Sequence, residues 1–296
     1  MTDTVSPLDR RIHAHHPERR TADAALIPQL EGEWTALSPT PAWADDLLSL
    51  RASPDETAAQ VSEALPGERM ELLEVLPGGW SWVRTTHDSY LGYARSSGLS
   101  TTPPTLSVPV TVLRGHVYAA PRIQAQVLGR LGYGAVLSVQ QPEPEQHGAY
   151  RWWRVRYGGT DGYVRTSVTE PQQTPGADLL HKFLGVPYLW GGRSAWGIDC
   201  SGLMQLASGY PLPRDADQQQ AYLSPVDTPQ AGDLVFFPGH VGYMLDERRV
   251  LHANATHMAV SIETLGEGEY GRQLADSVSG YGRMTPELWA AQLEQA

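Results

Sequence analysis

Residues 187–202 read PYLWGGRSAWGIDCSG and place a cysteine directly after a glycine-rich stretch. Residues 201–208, SGLMQLAS, carry apolar side chains at helical spacing and end before Gly209, so they predict a short helix from Cys200. Asp199 is the predicted N-cap of this helix. The sulfur of Cys200 then lies in the first turn, where unpaired N–H groups and the positive end of the helix dipole favour a thiolate.

Cys200 is the only cysteine of the chain. A single cysteine excludes an intrachain disulfide and a metal cage of paired cysteines. Most unpaired cysteines are small buried hydrophobic residues, so an inert thiol is the alternative to a reactive one. A nucleophilic role requires a base or an imidazolium that folding brings near the sulfur.

His240 is the candidate for that base. Residues 231–239, AGDLVFFPG, indicate a turn, a buried strand and a second turn, which put His240 at the start of the strand HVGYML. A histidine at the mouth of a strand lies beside a loop, where a substrate has access. A hydrogen-bonded scaffold histidine is the alternative interpretation of this residue.

His252 lies on the next predicted strand and is the candidate to orient His240. Side chains alternate between the faces of a strand, so pairing of Leu245 with Val250 would put the two histidines on opposite faces. We expect instead that Met244 lies opposite Val250, which puts both histidines on one face. The alternatives for the orienting role are Asn254 and His257.

Two segments upstream repeat each other. WSWVR at 80–84 corresponds to WWRVR at 152–156, and LGYAR at 91–95 corresponds to DGYVR at 161–165. Both copies consist of short β-rich runs broken by glycine and proline, which predicts two small barrels of about five strands each. Their W-x-V and G-Y-x-R patterns resemble those of bacterial SH3-like domains.

The predicted fold class is therefore multidomain, with proline-containing linkers around residues 101–107 and 170–176. The predicted parts are an N-terminal arm at 1–40, all-β SH3-like barrels at 41–100 and 106–170, and an α+β unit at 177–296. The arm contains His13, His15 and His16, for which metal binding is one interpretation. We expect instead a solvated and mobile arm.

Composition narrows the range of partners. Lys and Arg number 22 against 33 Asp and Glu, a net charge of −11 over 296 residues, which repels nucleic acid and anionic lipid. No apolar run approaches the roughly 18 residues that cross a bilayer, and the polar start MTDTVSPLDRR has no apolar signal-peptide core. We therefore expect a cytoplasmic protein without nucleic-acid or membrane partners.

The C-terminal unit resembles a known family. PYLWGGRSAWGIDCSG, LPRDADQQ, GDLVFFPGHVGYML and VLHA follow one another as in the NlpC-type cysteine peptidases, papain-like enzymes that cut bacterial cell-wall peptides. The resemblance implies a papain-like fold in which Cys200 is the nucleophile, His240 the base and His252 the orienting residue. It implies no metal and no organic cofactor. A zinc site formed by these three residues is the alternative.

The closer resemblance is to dipeptidyl-peptidase VI-type enzymes, in which SH3-like domains precede the peptidase. It implies hydrolysis between γ-D-glutamate and L-lysine or diaminopimelate in stem peptides with a free N-terminal L-alanine, in peptidoglycan peptide recycling. The implied substrate-binding residues are Tyr188, Ser201, Asp215 and Tyr90. Asp215 would pair with the ammonium of L-alanine, whereas an exposed aspartate that only caps N–H groups is the alternative.

Two other functions remain open. One is an endopeptidase that acts on intact peptidoglycan, with the SH3-like barrels as wall anchors. The other is a non-catalytic wall-binding protein that retains an inactive peptidase fold.

Overall fold

The computed structural model describes residues 8–170 and 175–288. Residues 1–7 of the predicted arm, residues 171–174 of the predicted second linker and residues 289–296 of the predicted α+β unit lie outside the described residues. Within the described ranges, no helix has the length and hydropathy that crossing a membrane requires.

The N-terminal segment folds against the rest of the protein. Its short strands are β1 His15–His16, β2 Thr21–Ala22 and β3 Thr35–Ala36, which form one sheet. Ala14 is fully buried and packs in one apolar cluster with Trp80 and Leu91. The expectation of a solvated arm is therefore wrong for this part of the chain, because the segment covers aromatic surface that would otherwise face water.

The first SH3-like module follows directly. Its strands are β4 Thr40–Ala44, β5 Leu48–Arg51, β6 Gln60–Ala64, β7 Arg69–Leu76, β8 Trp80–Thr85, β9 Leu91–Arg95 and β10 Leu99–Ser100. They form a seven-stranded sheet in the order β10-β4-β7-β8-β9-β5-β6. Alternating apolar side chains of these strands enclose a small core around Leu50, Met70 and Val83.

The second SH3-like module repeats this topology. Its strands are β11 Ser107–Pro109, β12 Arg114–Tyr118, β13 Val127–Gly132, β14 Val136–Val139, β15 Glu145–His147, β16 Tyr150–Tyr157 and β17 Thr160–Arg165. The order β11-β14-β16-β17-β12-β13 matches β4-β7-β8-β9-β5-β6 of the first module, so the sequence repeat is a structural repeat. Each module has seven strands rather than the expected five, because short strands pair with otherwise open sheet edges.

The C-terminal unit combines helices with an antiparallel sheet. Its elements are α1 Ala177–Lys182, β18 Arg193–Ser194, β19 Gly197–Ile198, α2 Cys200–Ala207, α3 Ala216–Tyr222, β20 Ser224–Val226, β21 Leu234–Phe237, β22 His240–Met244, β23 Arg249–Asn254, β24 Ala259–Thr264, α4 Gly268–Ser277 and β25 Gly280–Arg283. The sheet order is β20-β25-β21-β22-β23-β24. Buried side chains of α1, α2 and the sheet share one core, including Leu203 and Val241.

Both SH3-like modules form hydrogen bonds to the segment 187–202. The buried Arg193 donates from Nη1 to Oε2 of Glu68 at 2.9 Å and to the carbonyl of Glu63 at 2.9 Å in the first module. Nε1 of Trp196 donates to the carbonyl of Leu131 at 3.0 Å in the second module. The segment that carries Cys200 is therefore fixed by contacts from two directions.

Candidate active site

Helix α2 begins where the sequence predicts. Oδ1 of Asp199 accepts a hydrogen bond from the backbone N–H of Gly202 at 2.7 Å, and Oδ2 accepts one from Gly191 at 2.8 Å. The N-cap prediction for Asp199 is confirmed, and the first helical residue is Cys200. The same carboxylate thus fixes both the start of the helix and the glycine turn before it.

A buried arginine completes this arrangement and was missed in the sequence. Nη1 and Nη2 of Arg214 donate to Oδ1 and Oδ2 of Asp199 at 3.0 and 2.6 Å, and Arg214 is 1% exposed. Nη1 also donates to Oγ of Ser201 at 2.9 Å, and Nε donates to Oγ of Ser62 at 3.0 Å. Because Ser62 belongs to β6, this guanidinium ties the start of α2 to the first module.

Cys200 itself is buried and close to the histidine strand. Its thiol receives a hydrogen bond from the backbone N–H of Val241, the residue after His240. Burial, and after it the Asp199 carboxylate, raises the pKa of the Cys200 thiol to about 12. The expectation of a resting thiolate is therefore wrong, since loss of hydration outweighs the backbone donors at the helix start.

The two histidines lie on one face of the sheet, as expected. Met244 pairs with Val250 across β22 and β23, so the predicted register is confirmed. Nε2 of His240 lies 2.8 Å from Nδ1 of His252, whose side chain is fully buried. His240 itself occupies the first position of β22.

The alternative orienting residues have other partners. Nδ2 of Asn254 donates to Oγ of Ser261 at 2.9 Å, and Oδ1 of Asn254 accepts the backbone N–H of His257 at 2.8 Å. The ring of His257 lies 3.1 Å from a carboxylate oxygen of Glu263. Among the three candidates, His252 is the residue that meets the His240 ring.

Burial keeps both histidines neutral. It lowers the pKa of His240 to about 4, with Asp199 acting in the opposite direction. Burial, and after it the neighbouring His240 and His257, lowers the pKa of His252 to about 3. Since Nε2 of His240 lies against Nδ1 of His252, Nδ1 is the ring nitrogen of His240 that this contact does not occupy.

The predicted binding residues line one cavity of about 440 Å³. Tyr188, Ser201, Asp215 and Tyr90 all contribute to its wall together with Cys200. Burial, and after it the neighbouring Cys200 and Asp199, raises the pKa of Tyr188 to about 12. The structure therefore brings residues of the first module and of the C-terminal unit into one space beside the thiol.

Asp215 caps a helix, as the alternative interpretation expected, and its carboxylate also lines the cavity; its pairing with a substrate ammonium stays a prediction. It caps α3, where its side chain accepts the backbone N–H of Gln218 and its own N–H donates to Oε1 of Gln218 at 3.2 Å. Its Oδ2 also accepts the hydroxyl of Tyr90 at 2.9 Å and Nη1 of Arg11 at 2.9 Å. Burial raises the pKa of this carboxyl, against the lowering effects of Tyr90, Arg214 and Arg11.

Arg11 was not recognised in the sequence as part of this cavity. It lies 204 residues from Asp215 along the chain, in a segment interpreted as a free arm. Basic residues near a terminus are common and usually solvated, so the sequence offers no signal for this contact. Within the described residues, no group of three or more His, Cys, Asp and Glu side chains is arranged to hold a metal ion.

A buried cysteine that starts a helix, packed against an antiparallel sheet with a histidine pair, is the arrangement of papain-like cysteine peptidases. Comparison with known families defines this class further. Residues 185–278 match the NlpC/P60 family, residues 50–99 the bacterial dipeptidyl-peptidase SH3 domain and residues 112–170 the bacterial SH3 domain. The chain therefore contains an NlpC/P60 domain at residues 185–278, preceded by two bacterial SH3 domains.

Two named proteins and one crystal structure are similar to this chain. The chain is 28% identical over 265 residues to dipeptidyl-peptidase 6 of Lysinibacillus sphaericus, which covers 80% of this chain and 97% of that relative. It is 44% identical over 131 residues to the γ-D-glutamyl-L-lysine dipeptidyl-peptidase of Bacillus subtilis, or 38% of this chain and 44% of that relative. The crystal structure of an NlpC/P60 family protein from Bacillus cereus has the same fold, with a TM-score of 0.66 at 21% identity over 83% of this chain and all of that one.

Proposed function

We propose that this protein hydrolyses the bond between γ-D-glutamate and L-lysine or diaminopimelate in short cell-wall peptides with a free N-terminal L-alanine. The observation that carries the proposal is the position of Asp215, whose carboxylate lies in the cavity of Cys200 and accepts the hydroxyl of Tyr90 at 2.9 Å. A partly buried carboxylate pairs well with a primary ammonium, because water competes little there.

The reaction uses Cys200 and His240 as nucleophile and base. Sγ of Cys200 bonds to the γ-carbonyl carbon of D-glutamate while Nδ1 of His240 takes the thiol proton. The carbon–nitrogen bond then breaks, and the departing amine leaves with that proton. A water molecule, deprotonated by His240, cleaves the thioester, releases L-alanyl-D-glutamate and restores the thiol.

Cys200 and His240 are both uncharged before the reaction, and this determines when the proton moves in the first step. A thiol with a pKa near 12 and an imidazole with a pKa near 4 hold their proton on sulfur at neutral pH. Proton transfer therefore accompanies the attack on the carbonyl rather than preceding it. We assign the oxyanion that forms to the backbone N–H of Cys200, because α2 begins at this residue and N–H groups of a first helical turn lack helical partners.

Ser201 and Tyr188 flank Cys200 in the cavity, and we assign them to the D-glutamyl residue of the substrate. Ser201 is held in place because its Oγ accepts Nη1 of Arg214 at 2.9 Å. The name of the Bacillus subtilis relative, a γ-D-glutamyl-L-lysine dipeptidyl-peptidase, supports the same substrate class. Tyr90 forms part of the cavity wall, and this wall supports a preference for short peptides. A preference for short peptides in turn supports the proposed role in recycling released peptides in the cytoplasm.

The test compares L-Ala-γ-D-Glu-L-Lys with its N-acetylated form, using wild type and Asp215→Asn. Asparagine keeps the helix cap but removes the charge that pairs with the ammonium. We expect wild type to prefer the free amine and Asp215→Asn to lose most of that preference through KM. Asp227→Asn, an exposed site in the same unit, is the matched control. Equal cleavage of both peptides by wild type would contradict the proposal.

Two further measurements separate the alternative functions. Intact sacculi digested as fast as the tripeptide would replace the recycling role with that of a wall endopeptidase. Hydrolysis that is undiminished in Cys200→Ala would remove Cys200 from the reaction, and binding to sacculi without any hydrolysis would favour a wall-binding protein.

A further inference from the structure

Arg11 of the N-terminal segment connects three carboxylates at the end of the cavity. Its Nη1 donates to Oδ2 of Asp215 at 2.9 Å and to Oδ1 of Asp217 at 2.8 Å. Its Nη2 donates to Oδ2 of Asp217 at 2.9 Å and to Oδ2 of Asp9 at 2.8 Å, and Nε lies 3.0 Å from Oδ1 of Asp9. The guanidinium therefore contacts both the N-cap residue of α3, Asp215, and a residue of its first turn, Asp217.

The segment that carries Arg11 is itself anchored. The carbonyl of Arg11 accepts the backbone N–H of Leu91 in β9 at 2.7 Å. Asp9 accepts Nε2 of Gln218 in α3 at 3.1 Å, and its backbone N–H donates to Nδ1 of His13 at 2.8 Å. Contacts to the first module and to the peptidase domain thus hold Arg11 in place, as a built part of the wall rather than a displaceable side chain.

Arg11 also lies between two cavities. It lines the catalytic cavity of about 440 Å³ and a second groove of about 510 Å³ between the N-terminal segment and the first module. Tyr90 and Val61 are the other residues that line both. A group attached to the substrate nitrogen beside Asp215 would have to pass this boundary to reach the second groove.

The cluster of Arg11 with Asp9, Asp215 and Asp217 has a net negative charge, which attracts an ammonium group. One guanidinium against Asp9, Asp215 and Asp217 leaves a formal charge of −2 when all three are ionised. Arg11 keeps the pKa of Asp9 at about 2 and lowers that of Asp217. An incoming primary ammonium is therefore attracted without displacing Arg11.

We propose that Arg11 is a specificity-determining residue that closes the cleft beyond the ammonium subsite and holds Asp215 in position, so that peptides with a blocked or extended N-terminus are excluded. The inference rests on the proposed function, since it assigns Asp215 to the substrate ammonium. It gives the N-terminal segment, which lies outside all three matched domains, a direct role in substrate selection.

The test measures kcat/KM at pH 8 for L-Ala-γ-D-Glu-L-Lys and for its N-acetylated form. The selectivity is the ratio of the two values. We expect Arg11→Ala to lower the selectivity at least about tenfold, through a higher KM for the free peptide and faster cleavage of the acetylated one. Arg11→Lys keeps a cation of similar reach and is expected to regain most of the selectivity. Arg248→Ala, an exposed arginine that lines neither cavity, is the control and is expected to keep the wild-type ratio.

Three results would overturn the inference: a selectivity of Arg11→Ala within about twofold of wild type, an increased selectivity, or an equal loss of activity on both peptides. An increase would identify Arg11 as a competitor of the substrate ammonium, and an equal loss would identify a purely structural role. If Arg11→Ala does not fold, Arg11→Gln enters the same comparison. Failure of the proposed function is distinguishable, because wild type itself would then show no preference for the free amine.

Discussion

Nε2 of His240 and Nδ1 of His252 lie 2.8 Å apart on the same face of the sheet. This contact occupies Nε2 of His240 and leaves Nδ1 as the nitrogen that the proposed mechanism assigns to the thiol of Cys200. For Nδ1 to act as a base, the ring proton must sit on Nε2, and Nδ1 of His252 accepts it there. We therefore propose that His252 is a positioning residue, which fixes the tautomer of His240 and stabilises the imidazolium that forms during attack.

The first prediction tests this positioning role. His252→Phe fills the same buried space without an acceptor, and we expect kcat to fall between about 100- and 10,000-fold with little change in KM. His252→Gln restores an acceptor and is expected to recover part of the loss. Steady-state kinetics with the free tripeptide provide the measurement. Full kcat in His252→Phe would show that His240 needs no partner.

The second prediction concerns the acid limit of activity. Burial lowers the pKa of His240 to about 4, so the imidazole stays neutral, and able to accept a proton, well below its ordinary value. We expect kcat/KM to be retained at pH 5 and to fall as the pH approaches 4. Profiles of kcat/KM against pH for wild type and for Asp215→Asn check this, because the variant removes the titration of Asp215, whose pKa burial raises. A midpoint near the ordinary histidine value of about 6.5 would contradict the burial of His240 in the free enzyme.

Local signals account for the parts of the site that the sequence predicts. The cap at Asp199 and the start of α2 follow from residues within four positions of Cys200. The shared face of His240 and His252 follows from the alternation of strands and a short turn. These features depend on neighbours in the chain, which a sequence displays directly.

The features that the sequence does not predict depend on distant partners and on burial. Arg11 reaches Asp215 across 204 residues, and Arg214 is held by Ser62 across 152 residues. The ionisation of Cys200 depends on competition between the helix start and the loss of hydration, and the depth of burial decides it. That depth is set by the assembled sheet and modules, so the helix dipole alone gave the wrong protonation state.

The third prediction concerns the buried ion pair of Arg214 and Asp199. Arg214→Ala leaves the Asp199 carboxylate buried without its partner, so we expect the free energy of unfolding of the peptidase domain to fall by about 3–5 kcal/mol. Urea unfolding followed by tryptophan fluorescence measures the loss. Arg248→Ala breaks the exposed pair with Glu267, 2.9 Å apart, and is the control, with an expected loss below about 1 kcal/mol. Similar losses in the two variants would show that burial adds nothing to the Arg214 pair.

The fourth prediction tests the contribution of the first SH3 domain to substrate binding. The hydroxyl of Tyr90 donates to Oδ2 of Asp215 at 2.9 Å across the boundary between that domain and the peptidase domain. Tyr90→Phe keeps the ring that walls the cavity and removes only this bond to a charged acceptor, a loss of about 1.5–3 kcal/mol. Because the freed carboxylate can rotate away from the substrate ammonium, we expect KM for the free tripeptide to rise about tenfold while kcat stays nearly constant.

Tyr93→Phe is the control for this prediction, because the Tyr93 ring stacks on Trp82. A KM unchanged in Tyr90→Phe would mean that Arg11 and the helix cap are sufficient to orient Asp215, and a fall in kcat alone would place Tyr90 nearer the reacting carbonyl than the ammonium.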